Sequence, residues 1–129
     1  MKVKFSKSVV FAPTFNGNLN LPAEDQFSAE LSVLTTGDLL NVMDAFQSSG
    51  VQDLTDATKQ VEVASLKDML KLVDVLLPKY VKINNLTGED GSAITINDVV
   101  VSSVFMPLQI ELLMQLSTIS TPSDQSTKN

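Results

Sequence analysis

The chain has 129 residues, a hydrophobic fraction of 43% and a formal net charge of -6, which suits one domain with one core. It contains no Cys and no His, which excludes disulfides and thiolate metal sites and removes the usual general base and the commonest transition-metal ligand. All nine basic residues are Lys, and the lack of Arg together with the negative balance argues against recognition of nucleic acid.

The chain opens with lysines ahead of Val9, Val10, Phe11 and Ala12. That order resembles a signal peptide, but the apolar run is shorter than the roughly 7–15 residues such a segment needs, and no small-residue cleavage site follows. A cytoplasmic protein is expected. Lys2-Val3-Lys4-Phe5-Ser6 alternates polar and apolar residues, and Phe27 to Val33 alternates with its apolar members on the odd positions. This is the period-two pattern of a sheet with one wet face. Asn16-Gly17-Asn18 between them is a turn signal. Two to four short antiparallel strands are expected before residue 35, with Pro13 and Pro22 at strand ends or on an edge.

From residue 35 the periodicity becomes helical. Thr35-Thr36-Gly37-Asp38 is a capping signature with Thr35 as N-cap, and Leu39, Leu40, Val42, Met43 and Phe46 follow at helical spacing until Ser48-Ser49-Gly50. Val51 to Ala57 reads as a connector. A long helix is expected from about Thr58 to Leu77, with Val63, Leu66, Leu70, Val73 and Leu77 on one stripe, ended by Pro78. Asn84 to Ser92 is a polar loop. Thr95-Ile96-Asn97-Asp98 repeats the capping signature, a helix follows to about Phe105, and Pro107 suits the first position of the next. Phe105, Leu108, Leu112, Leu116 and Ile119 form its stripe. Seven of the last 13 residues are Ser or Thr, so a frayed tail is expected from Ser117. The expected class is α+β: one globular domain over 1–116, strand-rich in 1–34 and helical in 35–116, then a flexible polar tail over 117–129.

No constellation carries chemistry. Ser65-Leu66-Lys67 has the wrong spacing for a Ser-x-x-Lys nucleophile. The pairs Glu24-Asp25 and Glu89-Asp90 lie in polar, turn-like stretches and read as solvated side chains. Leu86 to Asn97 fails as a calcium loop, because its first, third and twelfth positions are Leu86, Gly88 and Asn97. The glycines form neither GxGxxG nor a Walker loop. No catalytic residue, metal or cofactor is expected. Glu111 is the only charge between Val99 and Thr121, yet polar residues interrupt that stretch too often for a span of about 20 apolar residues.

The Phe105 to Ile119 segment is apolar around most of its circumference. Two readings stay open: a central core helix, or an exposed apolar patch awaiting a partner. On the second reading Phe105, Leu108, Leu112, Leu113 and Leu116 are the candidate protein-binding residues.

The order of elements carries a resemblance. A strand-rich start leads into Thr36-Gly37-Asp38-Leu39-Leu40 and then a long amphipathic helix. After these come Tyr80-Val81-Lys82-Ile83-Asn84-Asn85-Leu86, a polar loop, Ile94-Thr95-Ile96-Asn97-Asp98-Val99, an apolar helix and a polar tail ending Lys128-Asn129. Over nearly its whole length the chain resembles a tail assembly chaperone of long-tailed bacteriophages. The resemblance implies a protein of the host bacterial cytoplasm that binds and solubilises the tape measure protein during tail assembly, self-associates weakly and is absent from the mature virion. In this family a frameshifted longer form engages the major tail tube protein, and Thr127-Lys128-Asn129 can be encoded by an A-AAA-AAC slippery heptamer. Two alternatives remain: a structural tail or head-completion subunit of a phage, and a small acidic secretion chaperone or adaptor. Tube proteins should be mostly strand.

Overall fold

The computed structural model describes residues 8–49 and 63–121. The expected strand at Lys2–Ser6, the helix stop at Gly50, the Val51–Ala57 connector, the helix start at Thr58 and the tail from Pro122 lie outside the described residues. The order is β1 (Ser8–Phe11), β2 (Ser28–Ser32), α1 (Thr36–Ser49), α2 (Val63–Tyr80), β3 (Val81–Asn84), α3 (Ile96–Val101) and α4 (Met106–Ser120), with short 3-10 turns at Phe15–Asn20, Ala23–Asp25 and Ser103–Phe105. A small antiparallel sheet with a mostly helical remainder makes the fold α+β.

Alternation in β2 does what its pattern dictates. Ala29 and Leu31 are fully buried, while Ser28, Glu30 and Ser32 on the other face are half-exposed. β2 is the central strand: Leu31 pairs with Val9 on one side and Val81 on the other, and Ala29 pairs with Phe11 and Ile83. Only two of the strands precede residue 35. The third, β3, follows α2 directly, so the sheet is closed by a segment from the second half of the chain. Its four residues are too few to show a period of their own.

The turn at Asn16-Gly17 is left-handed at both residues (φ 54° and 74°), as its composition predicts. It delivers the Asn18 carboxamide into the interior. There Nδ2 donates to the carbonyls of Pro13 and Phe27, and Oδ1 accepts from the Phe27 N–H at 2.8 Å. The Thr95–Asp98 capping box forms in full and the Thr35–Asp38 signature in one direction only. The Thr35 hydroxyl accepts from the Asp38 N–H, and the Asp98 carboxylate accepts from the N–H and hydroxyl of Thr95.

Three boundaries differ from expectation. The helix expected to reach Phe105 ends at Val101, because Ser102 turns extended and Ser103–Phe105 form a separate 3-10 turn. Pro78 does not end α2, which continues to Tyr80. Pro78 is exposed, and the helix runs only two residues past it, to the buried Tyr80. The polar tail does not begin at Ser117, because α4 runs to Ser120. Hydroxyls that suggested fraying instead bind the helix: Thr118 Oγ1 donates to the Met114 carbonyl and Thr121 Oγ1 to that of Ser117. The Ser120 hydroxyl accepts the Leu34 N–H at 2.9 Å, tying the helix end to the exit of β2.

α4 is the centre of the core. It contacts α1, α2, α3 and β2, and its Leu108, Leu112, Leu113 and Leu116 are all fully buried. Each leucine so enclosed contributes about 2 kcal/mol.

Candidate protein-binding surface

The polar side chains with specific partners hold the fold together. Tyr80 at the end of α2 donates its hydroxyl to Asp38 Oδ2 at 2.6 Å and accepts the Thr35 N–H, so the C-terminus of α2 is fastened to the first turn of α1. Lys79 lies 3.7 Å from the same carboxylate and 5.2 Å from the Tyr80 ring centroid. The Tyr80 hydrogen bond, with smaller help from Thr35 and Lys79, holds the Asp38 carboxyl below the usual aspartate range. Buried Gln109 donates to the carbonyls of Val99 and Ser102, which joins the end of α3 to α4. Glu111, the lone charge of its segment, accepts from the Thr14 N–H and hydroxyl. In the 86–94 loop the Asp90 carboxylate accepts from the N–H and hydroxyl of Ser92, which lowers its pKa. Among the described residues no group of three or more carboxylates is placed to share a metal ion.

The residues singled out for partner binding are not surface residues. Leu108, Leu112, Leu113 and Leu116 are core, and Phe105 is half-buried with its ring 5.8 Å from that of Phe15. The expectation of an exposed patch on this helix is corrected in favour of the core reading. A domain of this size does enclose a helix that is apolar all round, because α1, α2, α3 and β2 approach α4 from different sides.

Exposed apolar side chains lie immediately upstream, at the corner where α3 turns into α4, as they also do at Val10 on β1 and Val75 on α2. Val101 is 81% exposed and Val104 71%, with exposed Pro107 beyond them. The cause is geometric. Successive residues of a helix step by about 100°. Val99 points inward and is fully buried, Val100 is half-buried, and Val101 has rotated to the solvent side. The run Val99-Val100-Val101 was the available signal, since three consecutive valines in a short helix cannot all face one core. A second exposed apolar pair, Leu40 and Met43, lies one turn apart on α1.

A cleft of about 190 Å³ opens between the loop at 15–27 and the loop at 85–87. Phe15, Phe27, Leu21 and Leu86 give it an apolar lining, with Asn16, Asn18, Asp25, Asn85 and Thr87 completing the wall. Phe15 links this cleft to the α3–α4 corner, since its ring packs edge-on against Phe27 at 6.5 Å and against Phe105.

Compared with known protein families, curated proteins and solved structures, the chain matches none of them. Among the described residues no helix is long and apolar enough to cross a membrane.

Proposed function

We propose that the protein acts by binding other protein chains, as a tail assembly chaperone of a long-tailed bacteriophage that keeps the tape measure protein soluble until tail tube subunits displace it. The observation that carries the reading is the α3–α4 corner, where Val101 and Val104 are among the most exposed apolar residues described and no charged side chain lies between Val99 and Phe105. Branched apolar side chains held on ordered backbone contact a partner at low entropic cost. The net charge of -6 keeps such a protein and its complexes dispersed.

The order of elements along the chain supports the choice of this family. The predominance of helix supports it over a tube subunit. On this account the corner, rather than the buried leucines of α4, contacts apolar helices of the tape measure protein, and copies of the chaperone self-associate weakly through the same surface in the host cytoplasm. Any engagement of the major tail tube protein belongs to a longer, frameshifted form.

Co-expression with the tape measure protein of the same phage tests the reading. Wild type is expected to raise the soluble fraction of that protein severalfold, and a V101D/V104D double variant is expected to lose the effect while remaining folded. No gain in solubility with wild type would reject the proposal.

A further inference from the structure

Asn16-Gly17 is the one Asn-Gly pair in the chain. Asn16 is exposed, and its carboxamide has no hydrogen-bond partner among the described residues. Gly17 is exposed too, and without a side chain its nitrogen is open to approach a neighbouring carbonyl carbon. In an unfolded chain such a pair loses its side-chain amide spontaneously. The Gly nitrogen gives up its proton and attacks the Asn Cγ. A C–N bond closes a five-membered succinimide, and the Cγ–NH2 bond breaks to release ammonia. Water then opens the ring. Cleavage at the side-chain carbonyl leaves Asp, whereas cleavage at the main-chain carbonyl leaves isoaspartate, with the side-chain methylene now part of the backbone.

The fold opposes the first step. Ring closure needs the Gly17 nitrogen and the Asn16 Cβ on the same side of the Cα–C bond. At the observed ψ of 35° the nitrogen lies nearly opposite Cβ. Asn16 and Gly17 are both left-handed, at φ 54° and 74°, and a non-glycine residue stays there only where its surroundings hold it. The hold comes from Asn18, buried two residues on, whose side chain makes three hydrogen bonds to Pro13 and Phe27. Gln26 Nε2 adds a second tie within the same loop, donating to the Leu21 carbonyl at 3.0 Å. Asn16 reacts only when these bonds let go, so its rate follows the fraction of molecules in which the loop is open.

We propose that Asn16 is a site of spontaneous deamidation and isomerisation gated by Asn18: the closed turn holds the reaction off, and each opening of the 13–27 loop permits it. The isoaspartate product cannot re-form the turn, because the extra backbone atom moves Asn18 away from Pro13 and Phe27. A transient opening thereby becomes a permanent loss of the staple.

Peptide mass mapping of the full chain, aged in mildly alkaline buffer, provides the test, with isoaspartate counted by enzymatic methylation. In urea the unfolded chain is expected to gain one mass unit at Asn16, and the native protein to do so at least about tenfold more slowly. Asn18→Ala and Gln26→Ala should each accelerate the native reaction. Gln26 is only half-buried, so its variant keeps the test open if Asn18→Ala fails to fold. Tyr80→Phe, which weakens the α1–α2 contact far from this loop, should leave the rate unchanged. A native rate equal to that of the unfolded chain, no acceleration in Gln26→Ala, or equal acceleration by Tyr80→Phe overturns the inference, as does earlier modification of another asparagine.

Discussion

The Tyr80 hydroxyl donates to Asp38 Oδ2 at 2.6 Å, joining the last residue of α2 to the first turn of α1. The contact ties together two helices whose joined ends lie 42 residues apart in the sequence. Tyr80→Phe should destabilise the protein by about 1 kcal/mol, because a hydrogen bond to a partly exposed carboxylate is lost with little change in packing. The urea midpoint of the two proteins checks this.

The same pair sets an acid response. Asp38 titrates below its ordinary value near 3.8 in the fold, chiefly through the Tyr80 hydrogen bond. A carboxyl with a depressed pKa contributes stability that is present above its unfolded value and lost as pH falls through the folded one. Stability should therefore decline as pH drops below about 4, and Tyr80→Phe should show a shallower decline there and no altered dependence between pH 5 and 8. Equal slopes in the two proteins would remove Tyr80 as the cause.

Asn18→Ala leaves the Phe27 N–H and the carbonyls of Pro13 and Phe27 without their buried partner. The expected cost is about 3 kcal/mol, read as a fall in the thermal midpoint. Asn18→Asp should be worse, since a carboxylate would face those two carbonyls with no proton to offer.

Core and corner respond differently to charge. Leu112→Asp buries an uncompensated carboxylate in α4 and should unfold the protein, as judged by circular dichroism. Val104→Asp, at a position already in water, should change stability by no more than about 0.5 kcal/mol. A folded Leu112→Asp variant would contradict the central position of α4.

Much of this fold is legible in the residues themselves. The alternation of Phe27 to Val33, the Asn16-Gly17 turn and the two capping signatures depend on local backbone and side-chain chemistry, and each forms where its residues say it should, the Thr35–Asp38 cap in one direction only. β3 was not legible, because Val81 to Asn84 becomes a strand only by pairing with β2, across α1 and α2 in the sequence. The true end of α4 was hidden for a related reason: whether Ser and Thr fray a helix or cap its carbonyls depends on what lies beside it, here Leu34.

The surface was the least legible part. An apolar helix such as Phe105 to Ile119 reads identically whether it is enclosed or exposed, and only the arrangement of α1, α2, α3 and β2 around it decides. Val101 and Val104 carry a fainter signal, a valine run too long for the short helix that contains it.

The central claim, that this chain works by holding an apolar partner chain in solution, is tested most directly by the soluble yield of co-expressed tape measure protein with wild type, with V101D/V104D and without the chaperone. The account predicts a severalfold gain with wild type and a yield near the no-chaperone level with the double variant, whose own circular dichroism spectrum is unchanged. A yield that is the same in all three cultures would contradict it.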